Sequence, residues 1–110
     1  MSIRVSEGPL PGQATLHVNA SLDLTSAADL RAAVEALVND GVKHVTVDLT
    51  GADVVDSTGL GALISALKSV RKNGGDLRLV GPNRRVRMLL ELAKLTDLLK
   101  IADPPDTPPG

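Results

Sequence analysis

The chain has 110 residues, a length that supports one domain with a single modest core. Its 12 basic and 13 acidic residues leave a formal net charge of -1, so no broad positive field faces nucleic acid or an anionic membrane surface. There is no cysteine, which excludes disulfides, thiol catalysis and cysteine-ligated zinc; Phe, Tyr and Trp are absent too, so the core must come from Leu, Val, Ile and Ala, and aromatic stacking on bases is excluded.

The N-terminus, MSIRVSEGPLPG, carries charges and prolines where a signal peptide would have its apolar region. No apolar run approaches the roughly 18 residues of a membrane span. A soluble, cytoplasmic protein is the expectation.

Ile3 and Val5 alternate with Arg4 and Ser6 before a Gly-Pro-Leu-Pro-Gly turn. Ala14, Leu16, Val18 and Ala20 then alternate with Thr15, His17 and Asn19, which predicts two short strands joined by a turn. From Thr25 the period changes: Leu30, Val34, Leu37 and Val38 share a helical stripe, Ser26 to Asp29 fits a capping box, and Asn39-Asp40-Gly41 supplies a stop. The spacing predicts a first helix over about 25–39. Val45, Val47 and Leu49 alternate with His44, Thr46 and Asp48 as a third strand. A second helix follows VVDST, with Leu60, Leu63, Ile64, Leu67 and Val70 on one stripe and Asn73-Gly74-Gly75 at its end. Leu77, Leu79 and Val80 predict a fourth strand, and Val86, Leu89, Leu90 and Ala93 a third helix after Gly81-Pro82-Asn83. Leu98 to Ala102 has the pattern of a short last strand, and the proline-rich tail 103–110 is expected to be flexible.

The order β-β-α-β-α-β-α predicts an α/β domain over 1–102 with a mixed, largely parallel sheet of four to five strands. Because the strands alternate apolar with polar residues, the helices are expected mainly on one face.

The stretch VVDSTGLGAL raises a question, because Gly59 and Gly61 lie in a helix where each glycine costs about 0.5–1 kcal/mol relative to alanine. Ser57 or Asp56 stands where an N-cap belongs, and capping alone is a sufficient reason for either residue. Capping does not require the glycines. They thin the helix where a second protein would have to approach the Ser57 hydroxyl. A phosphate on Ser57 would meet the positive end of the helix and its free N–H groups, and would add about -1.5 to -2 charge beside Asp53 and Asp56.

Catalytic readings lack parts. DSTGLG has no glycine before the serine, as a nucleophile elbow requires, and the two histidines available as a base, His17 and His44, sit at polar positions of alternating strands. No lysine follows Gly61 as in a phosphate-binding loop, and Asp23, Asp48, Asp53 and Asp56 lack the spacing of a calcium loop, so no metal or cofactor is expected. Arg84, Arg85 and Arg87 form a compact basic cluster at a helix start, where they oppose the dipole and serve solubility or an anionic contact.

Two motifs resemble the STAS domain family, and within it the bacterial anti-sigma factor antagonists. Leu22-Asp23, followed by Ser26-Ala27 and Leu30, looks like the family's GxLDxxTAxxL segment, with Ala20 in place of its glycine and Ser26 in place of its threonine. Asp56-Ser57-Thr58-Gly59-Leu60-Gly61 is similar to its DSSGLG or DSTGLG signature, and the likeness runs to about Ala102. The resemblance implies a non-enzymatic binding module. In such proteins the serine after the aspartate, here Ser57, is phosphorylated by an anti-sigma factor that is also a serine kinase. The unphosphorylated antagonist binds that factor and frees the sigma factor; the phosphorylated form lets go, and a PP2C-type phosphatase restores it. The resemblance also places Asp23 and Asp56 beside the serine and makes Ser57, Thr58, Gly59, Leu60 and Gly61 part of the partner surface. Many relatives have a final helix where this chain has its proline-rich tail. The alternatives are a STAS scaffold or sensor without a kinase cycle, an enzyme, and a soluble component of a membrane transport system.

Overall fold

A computed structural model describes residues 3–8, 10–96 and 100–102. Two antiparallel strands open the chain, β1 (Ile3–Glu7) and β2 (Gln13–Val18), with Ile3 opposite Val18 and Glu7 opposite Ala14. Then follow α1 (Leu24–Asn39), β3 (His44–Asp48), α2 (Ser57–Lys72), β4 (Asp76–Val80), α3 (Arg84–Leu92) and β5 (Lys100–Ala102). The sheet runs β1-β2-β3-β4-β5, and every pair after the first is parallel. The expected mixed, largely parallel sheet and its element order are present. Leu98, expected in the last strand, and the tail 103–110 lie outside the described residues.

A strand order that advances by one neighbour at each crossover places successive right-handed connections on one side of the sheet. Leu16, Val45, Val47, Leu77 and Leu79 point to that side and are at most 1% exposed. They join Leu30 and Val34 of α1, Leu63 and Leu67 of α2, and Val86 and Leu90 of α3 in one cluster. The opposite face, carrying Gln13, Thr15, His17, His44, Thr46, Asp48, Asp76 and Arg78, is only partly covered or exposed.

Three local expectations change. β2 stops at Val18 and Ala20 is exposed, because His17 opposite Asp48 is the last rung of the β2–β3 ladder. The capping box of α1 lies three residues upstream of the expected one. Asp23 accepts from the Thr25 and Ser26 amides at 3.0 and 3.3 Å, and the Ser26 hydroxyl oxygen accepts from the Asp23 amide at 2.9 Å. Ser26 is buried and donates to the Ser21 carbonyl at 2.8 Å, which holds it inside the helix rather than at its edge. At the other end of α1, Gly41 adopts φ 82°, and Val42 donates to the Leu37 carbonyl at 3.0 Å, closing the helix.

Candidate functional site

The loops before α1 and α2 are pinned together. Leu22 and Val55 form a parallel bridge; the Leu22 amide donates to the Val54 carbonyl at 2.8 Å, and the Asp56 amide donates to the Leu22 carbonyl at 3.1 Å. Each bridge partner is followed by an aspartate that caps a helix, Asp23 for α1 and Asp56 for α2. Two separate helix N-termini and their carboxylates are thereby set side by side.

Asp56, rather than Ser57, is the N-cap of α2, and its carboxylate accepts from the Gly59 amide at 2.8 Å. Ser57 is consequently the first helical residue, exposed to solvent. The first amides of a helix have no partner within it, which leaves those of Ser57 and Thr58 without an intrahelical acceptor. Asp23 is held below the usual carboxylate range, first by the Thr25 hydroxyl at 2.6 Å and then by the Ser26 amide, against a weaker opposing effect of desolvation. It therefore carries its charge at neutral pH.

The two glycines separate. A Cβ on Gly59 would lie 2.1 Å from the Leu22 carbonyl oxygen, so the absence of a side chain is what lets α2 dock on the bridge. That is an internal requirement and corrects the expectation that both glycines thin the helix for a partner. A Cβ on Gly61 would meet nothing nearer than the Arg31 guanidinium at 3.9 Å. Of the expected surface, Asp56 and Ser57 are exposed, Asp23, Thr58, Leu60 and Gly61 are half-buried, and Gly59 is buried.

Three residues belong to this surface that sequence reasoning missed. Leu24, directly after the Asp23 cap, is 75% exposed, and Val54, two residues before the Asp56 cap, is 40% exposed. The available signal was their misfit: Leu24 falls off the stripe of Leu30 and Val34, and Val54 is the neighbour of a residue already buried. Asn83 caps α3 by accepting from the Val86 amide at 2.8 Å, while its amide group donates to the carbonyls of Ala52 and Asp53 at 3.3 and 3.1 Å. It fixes the loop that carries Asp53 and Val54.

His17 lies on the uncovered sheet face, as its alternation predicts. Its Nε2 is 2.9 Å from the Ser6 hydroxyl and its Nδ1 is 3.2 Å from the Asp48 carboxylate. This chain ties β1, β2 and β3 together across the strands. Ser6 sits within the β1–β2 ladder opposite Thr15, so the arrangement is a staple of the edge strand. Among the described residues no three His, Asp or Glu side chains converge as metal ligands, and no helix is long and apolar enough to cross a membrane.

The STAS domain family model matches residues 2–106. The chain belongs to the STAS domain family. An anti-sigma-B factor antagonist of Staphylococcus aureus (strain NCTC 8325 / PS 47) is 30% identical over 86 residues, 78% of this chain and 80% of that protein. The crystal structure of a candidate anti-sigma factor antagonist from Thermotoga maritima superposes with a TM-score of 0.85 at 27% identity, covering 94% of this chain and 87% of that one. The anti-sigma factor antagonist SpoIIAA of Bacillus, solved in unphosphorylated and phosphorylated forms, shares the fold; the unphosphorylated form has a TM-score of 0.81 at 16% identity over 94% of this chain and 89% of that one. At family level this STAS domain stands with the anti-sigma factor antagonists.

Proposed function

We propose that this STAS domain is a cytoplasmic anti-sigma factor antagonist whose hold on its partner is switched off by phosphorylation of Ser57. One observation supports the reading: Ser57 is exposed at the first turn of α2, directly after the Asp56 cap, on a loop that the Leu22–Val55 bridge ties to the Asp23 cap of α1. A helix N-terminus accommodates a phosphate dianion without loss of the fold. The same dianion adds charge beside Asp23, Asp53 and Asp56 and repels a surface fitted to the unmodified site.

The partner surface comprises Asp23, Asp56, Ser57, Thr58, Leu60 and Gly61, with Leu24 and Val54 as apolar anchors, and Gly59 as the internal support that brings the helix to the bridge. The partner is an anti-sigma factor with serine kinase activity, and a PP2C-type phosphatase reverses the modification. Loss of about 3 kcal/mol on phosphorylation weakens such a complex about 150-fold. The domain itself performs no catalysis in this cycle.

Intact-mass measurement of the protein incubated with ATP and its cognate anti-sigma kinase tests the reading. Wild type gains one phosphate and Ser57→Ala gains none, while the unmodified Ser57→Ala protein still binds the kinase. Binding by both proteins with no mass gain in either would replace the switch with a constitutive scaffold.

A further inference from the structure

The uncovered sheet face holds a depression of about 340 Å3 lined by Gln13, Thr15, His44, Thr46, Asp76 and Arg78, a size within the range of small-ligand sites. It sits where β3 and β4 begin, whereas Ser57 follows the loop after the end of β3, so the two places lie at opposite ends of the parallel strands. The ladder accounts for its composition. Thr15, Thr46 and Arg78 are neighbours in register across β2, β3 and β4, and one step back His44 is opposite both Gln13 and Asp76.

Arg78 is exposed and uses its Nε to donate to the Thr46 hydroxyl at 3.2 Å. No carboxylate among the described residues lies within ion-pairing distance of it. The one carboxylate on the lining, Asp76, is already engaged by the Arg71 Nε at 3.3 Å and by the Leu77 amide at 2.9 Å. The floor thus presents an uncompensated guanidinium whose outer N–H groups form a fork, surrounded by hydroxyl, amide and imidazole groups. A guanidinium fork matches the oxygens of a carboxylate or phosphate in pairs.

We propose that this depression is a binding site for a small molecule bearing a single phosphate or carboxylate group, with Arg78 as the anchor for the charge and Thr15, Thr46, Gln13 and His44 as the hydrogen-bonding wall. The inference is independent of the role of Ser57. It gives the domain a ligand-responsive surface that a bound protein partner at α2 leaves open.

Amide NMR of the isotope-labelled protein tests it, with inorganic phosphate and acetate titrated separately at ionic strength held constant with chloride. One of the two anions is expected to give saturable shifts confined to Gln13, Thr15, His44, Thr46 and Arg78, with a dissociation constant of about 1 mM, a strength open to so small an anion. Phosphate as the saturating probe identifies a phosphorylated ligand class, and acetate a carboxylate class. Arg78→Gln, at an exposed position, weakens binding about tenfold or more, and Arg78→Lys restores part of it. The proposal is overturned if chloride reproduces the shifts, if they appear at Ser57 and Thr58 instead, or if neither Arg78 variant alters the titration.

Discussion

Gly59 and Gly61 are two residues apart on one helix, yet they answer to different constraints. The Leu22 carbonyl that faces Gly59 is not free to retreat, since it accepts from the Asp56 amide while the Leu22 amide donates to Val54. A methyl group at Gly59 therefore meets a backbone fixed from both sides. Gly59→Ala is expected to destabilise the protein by about 3 kcal/mol, at the upper end of the usual cost of overfilling a packed site. Gly61→Ala has room and removes a flexible residue from a helix interior, so it is expected to stabilise by about 0.5–1 kcal/mol. Urea unfolding followed by circular dichroism separates the two; equal effects would mean that the bridge does not hold Leu22 in place. If the kinase must close over the first turn of α2, Gly61→Ala also binds the anti-sigma partner more weakly despite its greater stability. No periodicity distinguishes these glycines, because the contact that does so comes from a loop more than thirty positions away in sequence.

Strands and helices were readable from their periods, but the bonds that lock them were not. The alternation of β2 and β3 identifies their inward faces, and the signature around Asp56 and Ser57 marks the head of α2. Local pattern alone does not place the capping box of α1, because Ser26 has the composition of a surface cap and is buried, and the exposure of Leu24 and Val54 is decided by the bridge rather than by local sequence. The staple across β1, β2 and β3 is likewise a tertiary fact, and one of its members, Asp48, makes stability depend on pH mainly through its bonds to Thr50. Burial pushes the Asp48 carboxyl up, but the Thr50 hydroxyl at 2.5 Å, the Thr50 amide at 2.9 Å and His17 outweigh it and hold the group below its ordinary value. A carboxyl depressed in the folded state contributes stability above its unfolded pKa of about 3.9, and that contribution is lost as pH falls through the lower folded value. Asp23 acts with the same sign. The thermal midpoint of wild type is thus expected to fall as pH drops from about 5 toward 2, and Asp48→Asn, less stable at neutral pH, to show a shallower fall over the same window. Parallel curves for the two proteins would remove Asp48 from the account.

Across the whole molecule, stability and recognition are carried by different surfaces. With no Phe, Tyr or Trp in the chain, the core between the sheet and its three helices is assembled from Leu, Val, Ile and Ala side chains. Such a core has no dominant ring to anchor it, so the cost of truncation is spread over many medium-sized residues. Leu67, 1% exposed in the middle of α2, should lose about 3 kcal/mol on Leu67→Ala, combining lost transfer energy with the cavity left behind. That is a large share of the roughly 5–15 kcal/mol available to a domain of this kind. Leu92, the last residue of α3, is 80% exposed, and Leu92→Ala is expected to stay within about 0.5 kcal/mol of wild type. Chemical denaturation with equal m-values for the three proteins checks both numbers at once. A cost at Leu92 comparable to that at Leu67 would show that α3 is covered in solution, and the separation between a buried aliphatic core and free outer surfaces would fail at that helix.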